Sequence, residues 1–110
     1  MSSHRRKMID NEVRIMRRLQ HPHILRLLDV FYTANNCYLV SELCEGGSLQ
    51  QQIDEQADVP HGQALFEIGS ALQYLACRDI IHRDIKPANV LIHEGHYKLA
   101  DFGFAHEVGV

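Results

Sequence analysis

No apolar run in this chain approaches the roughly 20 residues that a helix needs to cross a bilayer. The N-terminus is basic, but no apolar stretch follows it, which argues against a secretory leader. Cysteine is scarce: Cys37, Cys44 and Cys77 are odd in number and show no C-x-x-C spacing. That excludes a disulfide framework or a zinc knuckle and suits a reducing compartment. No histidine pairs with a cysteine at zinc-ligand spacing. Internal repeats and low-complexity tracts are absent. The formal net charge of −3 argues against a general nucleic-acid binder. Together these absences point to a soluble intracellular protein with no membrane segment and no nucleic-acid partner.

What remains is the make-up of an ordinary globular domain. The chain has 110 residues, enough for one small domain, with 45% apolar and 23% charged residues. Arg5, Arg6, Lys7, Arg14, Arg17 and Arg18 crowd the N-terminal end. Residues 1–7 are polar and read as a fraying end. From Met8 to Leu19, Ile9, Val13, Met16 and Leu19 recur at helical spacing, which predicts one helix face. His21-Pro22 is expected to end that helix, because the residue before proline is pushed out of the α region. Strands are expected at 24–32 and 37–43, joined by the turn Thr33-Ala34-Asn35-Asn36 as an antiparallel hairpin. Gly46-Gly47 reads as a linker, and Ser48 as the N-cap of a short helix to about Glu55. A second helix is predicted over 62–77. There Gly69 would mark a tight contact, since glycine costs about 1 kcal/mol in a helix interior.

The stretch 82–103 organises the rest. His82-Arg83-Asp84-Ile85-Lys86-Pro87-Ala88-Asn89 is a loop by its proline and asparagine. Val90-Leu91-Ile92 and Tyr97-Lys98-Leu99-Ala100 flank the turn-like His93-Glu94-Gly95-His96, a hairpin signal. A hairpin returns Asp101 close to Asn89. Two oxygen donors brought together suit Mg²⁺, which keeps substrate phosphates in its shell.

This stretch resembles the catalytic loop and the magnesium loop of the eukaryotic protein kinases, H-R-D-x-x-x-x-N followed by D-F-G. The order of elements resembles the kinase core from about residue 8 to 106. The resemblance implies an α+β fold, part of the bilobal kinase architecture within 1–110. In it, 8–43 is a small-lobe remnant, 44–47 the hinge and 48–110 a large-lobe remnant. It implies ATP and Mg²⁺ as cofactors and a protein substrate with a Ser or Thr acceptor. Asp84 would be the catalytic carboxylate, and Lys86 would contact the transferred phosphate, which favours serine/threonine substrates. Asn89 and Asp101 would hold the metal, and Glu12 would pair with an ATP-binding lysine. The carbonyl of Glu42 and the main chain of Cys44 would bind adenine, with Leu91 packing beneath it. Ser41 would leave a roomy rear pocket. Arg83 would meet an activation-loop phosphate. Met16, Leu27, His82 and Phe102 resemble the family's stacked apolar spine.

Two family features have no counterpart here. There is no G-x-G-x-x-G, and none of Lys7, Lys86 and Lys98 follows an apolar strand as the ATP-binding lysine does. The hairpin at 26–43 is accordingly expected to have an unpaired edge, and a chain of this size alone is expected to be weakly stable and inactive. A non-catalytic binding or regulatory fragment, or an incomplete gene product, is the alternative. Against the first stands the intact set Asp84, Lys86, Asn89 and Asp101.

Overall fold

The computed structural model describes residues 2–55 and 58–108. Helix α1 runs Ser3–Arg17. It starts well before the expected position, so residues 3–7, expected as a fraying end, are helical. Ser2 explains this: its side chain accepts from the Arg5 amide at 3.2 Å and satisfies one of the orphan donors of the first turn. Arg6 adds an i,i+4 pair with Asp10 at 3.3 Å and lies over the Tyr32 ring. The helix also stops short of Pro22. Its end tightens into i→i+3 bonds, with the Arg18 amide on the Ile15 carbonyl and the Leu19 amide on that of Met16. Val13, Met16 and Leu19 are buried as their spacing predicts, and Ile15, outside that spacing, is wholly buried too.

Strands β1 (Leu27–Tyr32) and β2 (Cys37–Ser41) form the expected antiparallel hairpin, with Tyr32 opposite Cys37 and Leu27 opposite Ser41. They make a two-stranded sheet among the described residues, and Leu28, Phe31, Tyr38 and Leu39 are exposed on it. Gly46 and Gly47 are more than a linker. The Gly46 amide donates to the Ile92 carbonyl at 2.8 Å and the Ile92 amide to the Gly47 carbonyl at 2.9 Å. A Cβ on Gly46 would lie 2.8 Å from the Ile92 carbonyl oxygen, and Gly47 has φ +77°. Only glycine permits this approach.

Helix α2 (Leu49–Asp54) opens with a capping box between Ser48 and Gln51. Helix α3 (His61–Cys77) matches the expected span within one residue. The expectation for Gly69 fails: nothing lies within 4 Å of a Cβ placed there. This glycine is simply an exposed weak point of the helix. After α3 come the short strand β3 (Ile80–Ile81), a 3-10 turn at Pro87–Asn89, β4 (Val90–His93), β5 (His96–Leu99) and β6 (His106–Glu107). β4 and β5 are joined by Glu94-Gly95, both at positive φ, the two-residue turn that matches strand twist. β6 pairs with β3, a contact with no local sequence signal.

One apolar core links α1, α3 and the β4–β5 hairpin through Ile15, Ile24, Leu75, Tyr97, Leu99 and Phe102. The His23–Leu25 segment is stitched to β5: the Leu99 amide donates to His23 and the Leu25 amide to Leu99, at 2.8 and 2.9 Å. Beneath this seam, Glu67 of α3 is buried. Its carboxylate accepts from His96 Nδ1 at 2.7 Å, the Tyr97 amide at 3.0 Å and Gln63 Nε2 at 3.1 Å, and His23 Nε2 stands 3.5 Å away. Burial pushes this carboxyl up, but the donors outweigh it and hold it below its ordinary value.

A carboxyl depressed in the folded protein stabilises it above the ordinary value of about 4.5, and that contribution is lost as pH falls through the folded value. Glu67→Ala should cost about 1–3 kcal/mol at neutral pH, because the Tyr97 amide loses its acceptor. In denaturant titrations the gap between wild type and variant should narrow as pH drops below about 4.5. A gap that stays constant with pH would mean the charge on Glu67 contributes nothing.

Candidate active site

The loop 82–89 is shaped by its own side chains. The Asp84 amide donates to His82 Nδ1 at 3.1 Å, so His82 Nδ1 is the acceptor nitrogen and Nε2 carries the proton. That proton goes to the Ala100 carbonyl at 2.8 Å. The buried imidazole packs edge-on against Phe102, with centroids 4.9 Å apart. Arg83 takes positive φ (69°) to make the turn, and its Nε donates to the Phe104 carbonyl at 2.7 Å. In this structure Arg83 therefore braces the segment after Gly103. Met16, His82 and Phe102 are buried and Leu27 packs half-buried against the same core.

Asp84, Lys86 and Asn89 come together. Asn89 Nδ2 donates to both the Asp84 carbonyl at 2.9 Å and Asp84 Oδ2 at 3.0 Å. Because both partners are acceptors, the amide orientation is fixed and Oδ1 of Asn89 is left as an available donor oxygen. Lys86 Nζ stands 3.7 Å from Asp84 Oδ1. The Ala100 amide donates to the Asn89 carbonyl at 2.8 Å, so Asn89 and Asp101 flank one backbone hydrogen bond where the hairpin opens. Asp101 has φ 58°, is exposed, and accepts from the Gly103 amide through Oδ1 at 3.2 Å. A Cβ on Gly103 would sit 3.2 Å from Asp101 Oδ1 and 3.9 Å from Glu12 Oε1, so both carboxylates reach around this glycine.

Glu12 is half-buried, and burial followed by the negative charge of Asp101 pushes its carboxyl up. None of the ion pairs among the described residues includes it. The structure thus brings Glu12 to Asp101 but brings no lysine to Glu12.

The second group sits where β2 leaves for α2. Ser41 Oγ donates to the Glu42 carbonyl at 3.2 Å. The Glu42 side chain accepts from the Arg26 amide at 2.9 Å and from Lys98 Nζ at 2.8 Å. Its burial raises the carboxyl, and these donors more than reverse that, leaving it low. Cys44 is half-buried, and burial together with the charge of Glu42 pushes its thiol up. Leu91 is half-buried on β4, bridged to Ser48. It lies two residues beyond Asn89, so one strand links the two groups.

Sequence reasoning gave Lys98 and the Glu42 side chain no role and missed Glu67, His23 and His96. The signal for Glu67 was present: it lies four residues before Ala71 on the buried face of α3. An apolar hollow of about 440 Å³ lies between α2, α3 and the 82–89 loop and is lined by Leu49, Ile53, Ala64, Ile68 and Ile85 among others. Lys86 of the 82–89 loop also lines it, whereas Glu12, Glu42, Cys44 and Asp101 do not. Among the described residues no cluster of three or more His, Cys, Asp or Glu has the geometry to hold a metal ion. None of their helices is long and apolar enough to cross a membrane.

Comparison with known proteins identifies the family. The chain is 39% identical over 101 residues to "Aurora/IPL1-related protein kinase 2" of Caenorhabditis briggsae, covering 88% of this chain and 33% of that protein. It is 40% identical over 103 residues to "Serine/threonine-protein kinase ULK3" of Homo sapiens, covering 88% and 22%. With "Serine/threonine-protein kinase ATG1c" of Arabidopsis thaliana it shares 37% over 105 residues, covering 89% and 14%. The chain thus spans a third or less of the length of these relatives. The family model for the protein kinase domain matches residues 1–109, and the chain belongs to the protein kinase family.

Proposed function

We propose that these residues serve a protein serine/threonine kinase, moving the γ-phosphate of ATP to a Ser or Thr hydroxyl with Mg²⁺. The observation that carries this is the Asn89 side chain, which donates to the main-chain carbonyl and to one carboxylate oxygen of Asp84 while its main chain pairs with the residue before Asp101. This interaction set supports reading Asp84 as the base and Asn89 and Asp101 as its neighbouring oxygen donors.

The donor set fits Mg²⁺: Asn89 Oδ1 and the Asp101 carboxylate are hard oxygens without enough partners for a closed cage, the pattern of a cation completed by substrate phosphates. When bound, such a cation neutralises charge on the phosphates. The chain's own residues do the rest. Asp84 orients the attacking hydroxyl and takes its proton as the oxygen bonds to the γ-phosphorus and the bond to the β-phosphate oxygen breaks. Asn89 keeps the Asp84 carboxylate in place. Lys86 sets a positive charge beside the entering oxygen. The Cys44 amide and carbonyl offer a donor and an acceptor to an adenine edge, with Leu91 beneath. Lys86 and the similarity to serine/threonine-protein kinases support serine or threonine as acceptor.

The test belongs on the protein at its full natural length. It should phosphorylate Ser or Thr peptides and not Tyr peptides. Asp84→Asn should lower kcat by about 10²–10⁴-fold while leaving the Kd for Mg-ATP within about twofold. Unchanged kcat in that variant, or no Mg-dependent ATP binding in the wild type, would overturn the reading. Ser41→Phe should weaken binding of an N6-bulky adenine analogue while sparing ATP. Equal binding of the analogue to both proteins would remove the roomy rear pocket.

A further inference from the structure

Helix α1 carries Glu12, and beside the contacts of Arg6 and Asp10 with Tyr32, three of its polar groups run to one short segment. Asn11 Nδ2 donates to the Ala105 carbonyl at 3.1 Å. Arg14 lies 2.6 Å and Arg18 3.0 Å from the same oxygen of Glu107. The other terminal nitrogen of Arg14 donates to Asn11 Oδ1 at 2.8 Å, which aims the guanidinium. Glu107 is itself anchored. It lies in β6 opposite Ile80 of β3, and the next amide, of Val108, donates to the Asp79 carbonyl at 2.7 Å. β3 runs directly into His82, and Arg83 grips Phe104 from the same side.

We propose that Glu107 is a positioning residue: a single carboxylate that latches α1 to the strand pair beneath the catalytic loop and so sets Glu12 against Asp101. An ordinary exposed ion pair would contribute little. The side chains are indeed partly exposed, Arg14 by 60%, Arg18 by 44% and Glu107 by 30%. Two features raise this one above a single pair. One oxygen serves two guanidiniums, and one of those is braced by Asn11, which is itself tied to Ala105. Arg14 and Arg18 also stand i,i+4 on the helix, so without Glu107 they repel one another along α1. Loss of the carboxylate therefore removes an attraction and releases a repulsion at the same place. Of the basic residues that crowd the N-terminal end, Arg14 and Arg18 thus acquire a local task.

The consequence for catalysis rests on the kinase reading of Glu12 and Asp101, but the latch does not, and it can be measured without activity. Hydrogen–deuterium exchange on the full protein compares amides 13–17 of α1 with those of β4 and β5. Glu107→Gln should speed α1 exchange about fivefold and leave the hairpin unchanged. Arg14→Gln combined with Arg18→Gln should do the same from the other side. Glu107→Arg joined to Arg14→Glu and Arg18→Glu should return α1 to wild-type protection, and raising salt to about 1 M should erase the difference between wild type and Glu107→Gln. The proposal is overturned if α1 exchange is the same in wild type and Glu107→Gln, if the charge swap fails to restore it, or if β4 and β5 accelerate in step with α1.

Discussion

Ala100 is the residue on which the site turns, and it contributes only its backbone. Its amide donates to the Asn89 carbonyl and its carbonyl accepts from His82 Nε2, both at 2.8 Å. Through these two bonds the loop that carries Asp84 and the loop that carries Asp101 become one object. His82 is buried, so its ring N–H must be paired or cost about 1–3 kcal/mol. That requirement, with the edge contact to Phe102, fixes the distance between the loops more firmly than the exposed side chains could. Arg83 repeats the arrangement one residue on, holding the Phe104 carbonyl.

Around this stitch the charges are unequal. Glu12, Asp84 and Asp101 face the site with Lys86 as the near cation. Lys98 is committed to Glu42, and Arg14 and Arg18 to Glu107. Glu12 registers the surplus, its carboxyl raised by burial and by Asp101. That surplus is consistent with the proposed magnesium nucleotide, whose cation would relieve it. Glu67, by contrast, is surrounded by donors from His96, Tyr97 and Gln63.

Much of this was legible from the residues. Glu94-Gly95 announced the β4–β5 hairpin, and that hairpin implied that the chain before Asp101 returns to Asn89, as the Ala100–Asn89 bond shows. Ser48 announced α2, and the apolar spacing announced α1 and α3. What escaped was non-local. β3 and β6 are two residues each, too short for any periodicity, and exist only because the chain returns after Phe104. The partners Glu67 and His96 are 29 residues apart, and Glu42 and Lys98 are 56 apart. The two glycine readings failed in opposite directions for one reason. Sequence shows that a Cβ is missing but not what would meet it, and Gly46 faces the Ile92 main chain while Gly69 faces open space. Ser2 shows the converse: a cap is local, and its effect on Ser3–Lys7 was readable had the basic run not been taken as an end.

The central claim is that Asn89 and Asp101 form one oxygen site beside Asp84. The most direct measurement is paramagnetic relaxation by Mn²⁺ in the presence of ADP, followed by NMR on isotope-labelled protein. The account predicts that the Asn89 side-chain amide and the Asp101 and Gly103 backbone amides broaden together, and that Asp101→Asn weakens the broadening at all three. Broadening centred on Glu67, His23 and His96, or at neither loop, would contradict it.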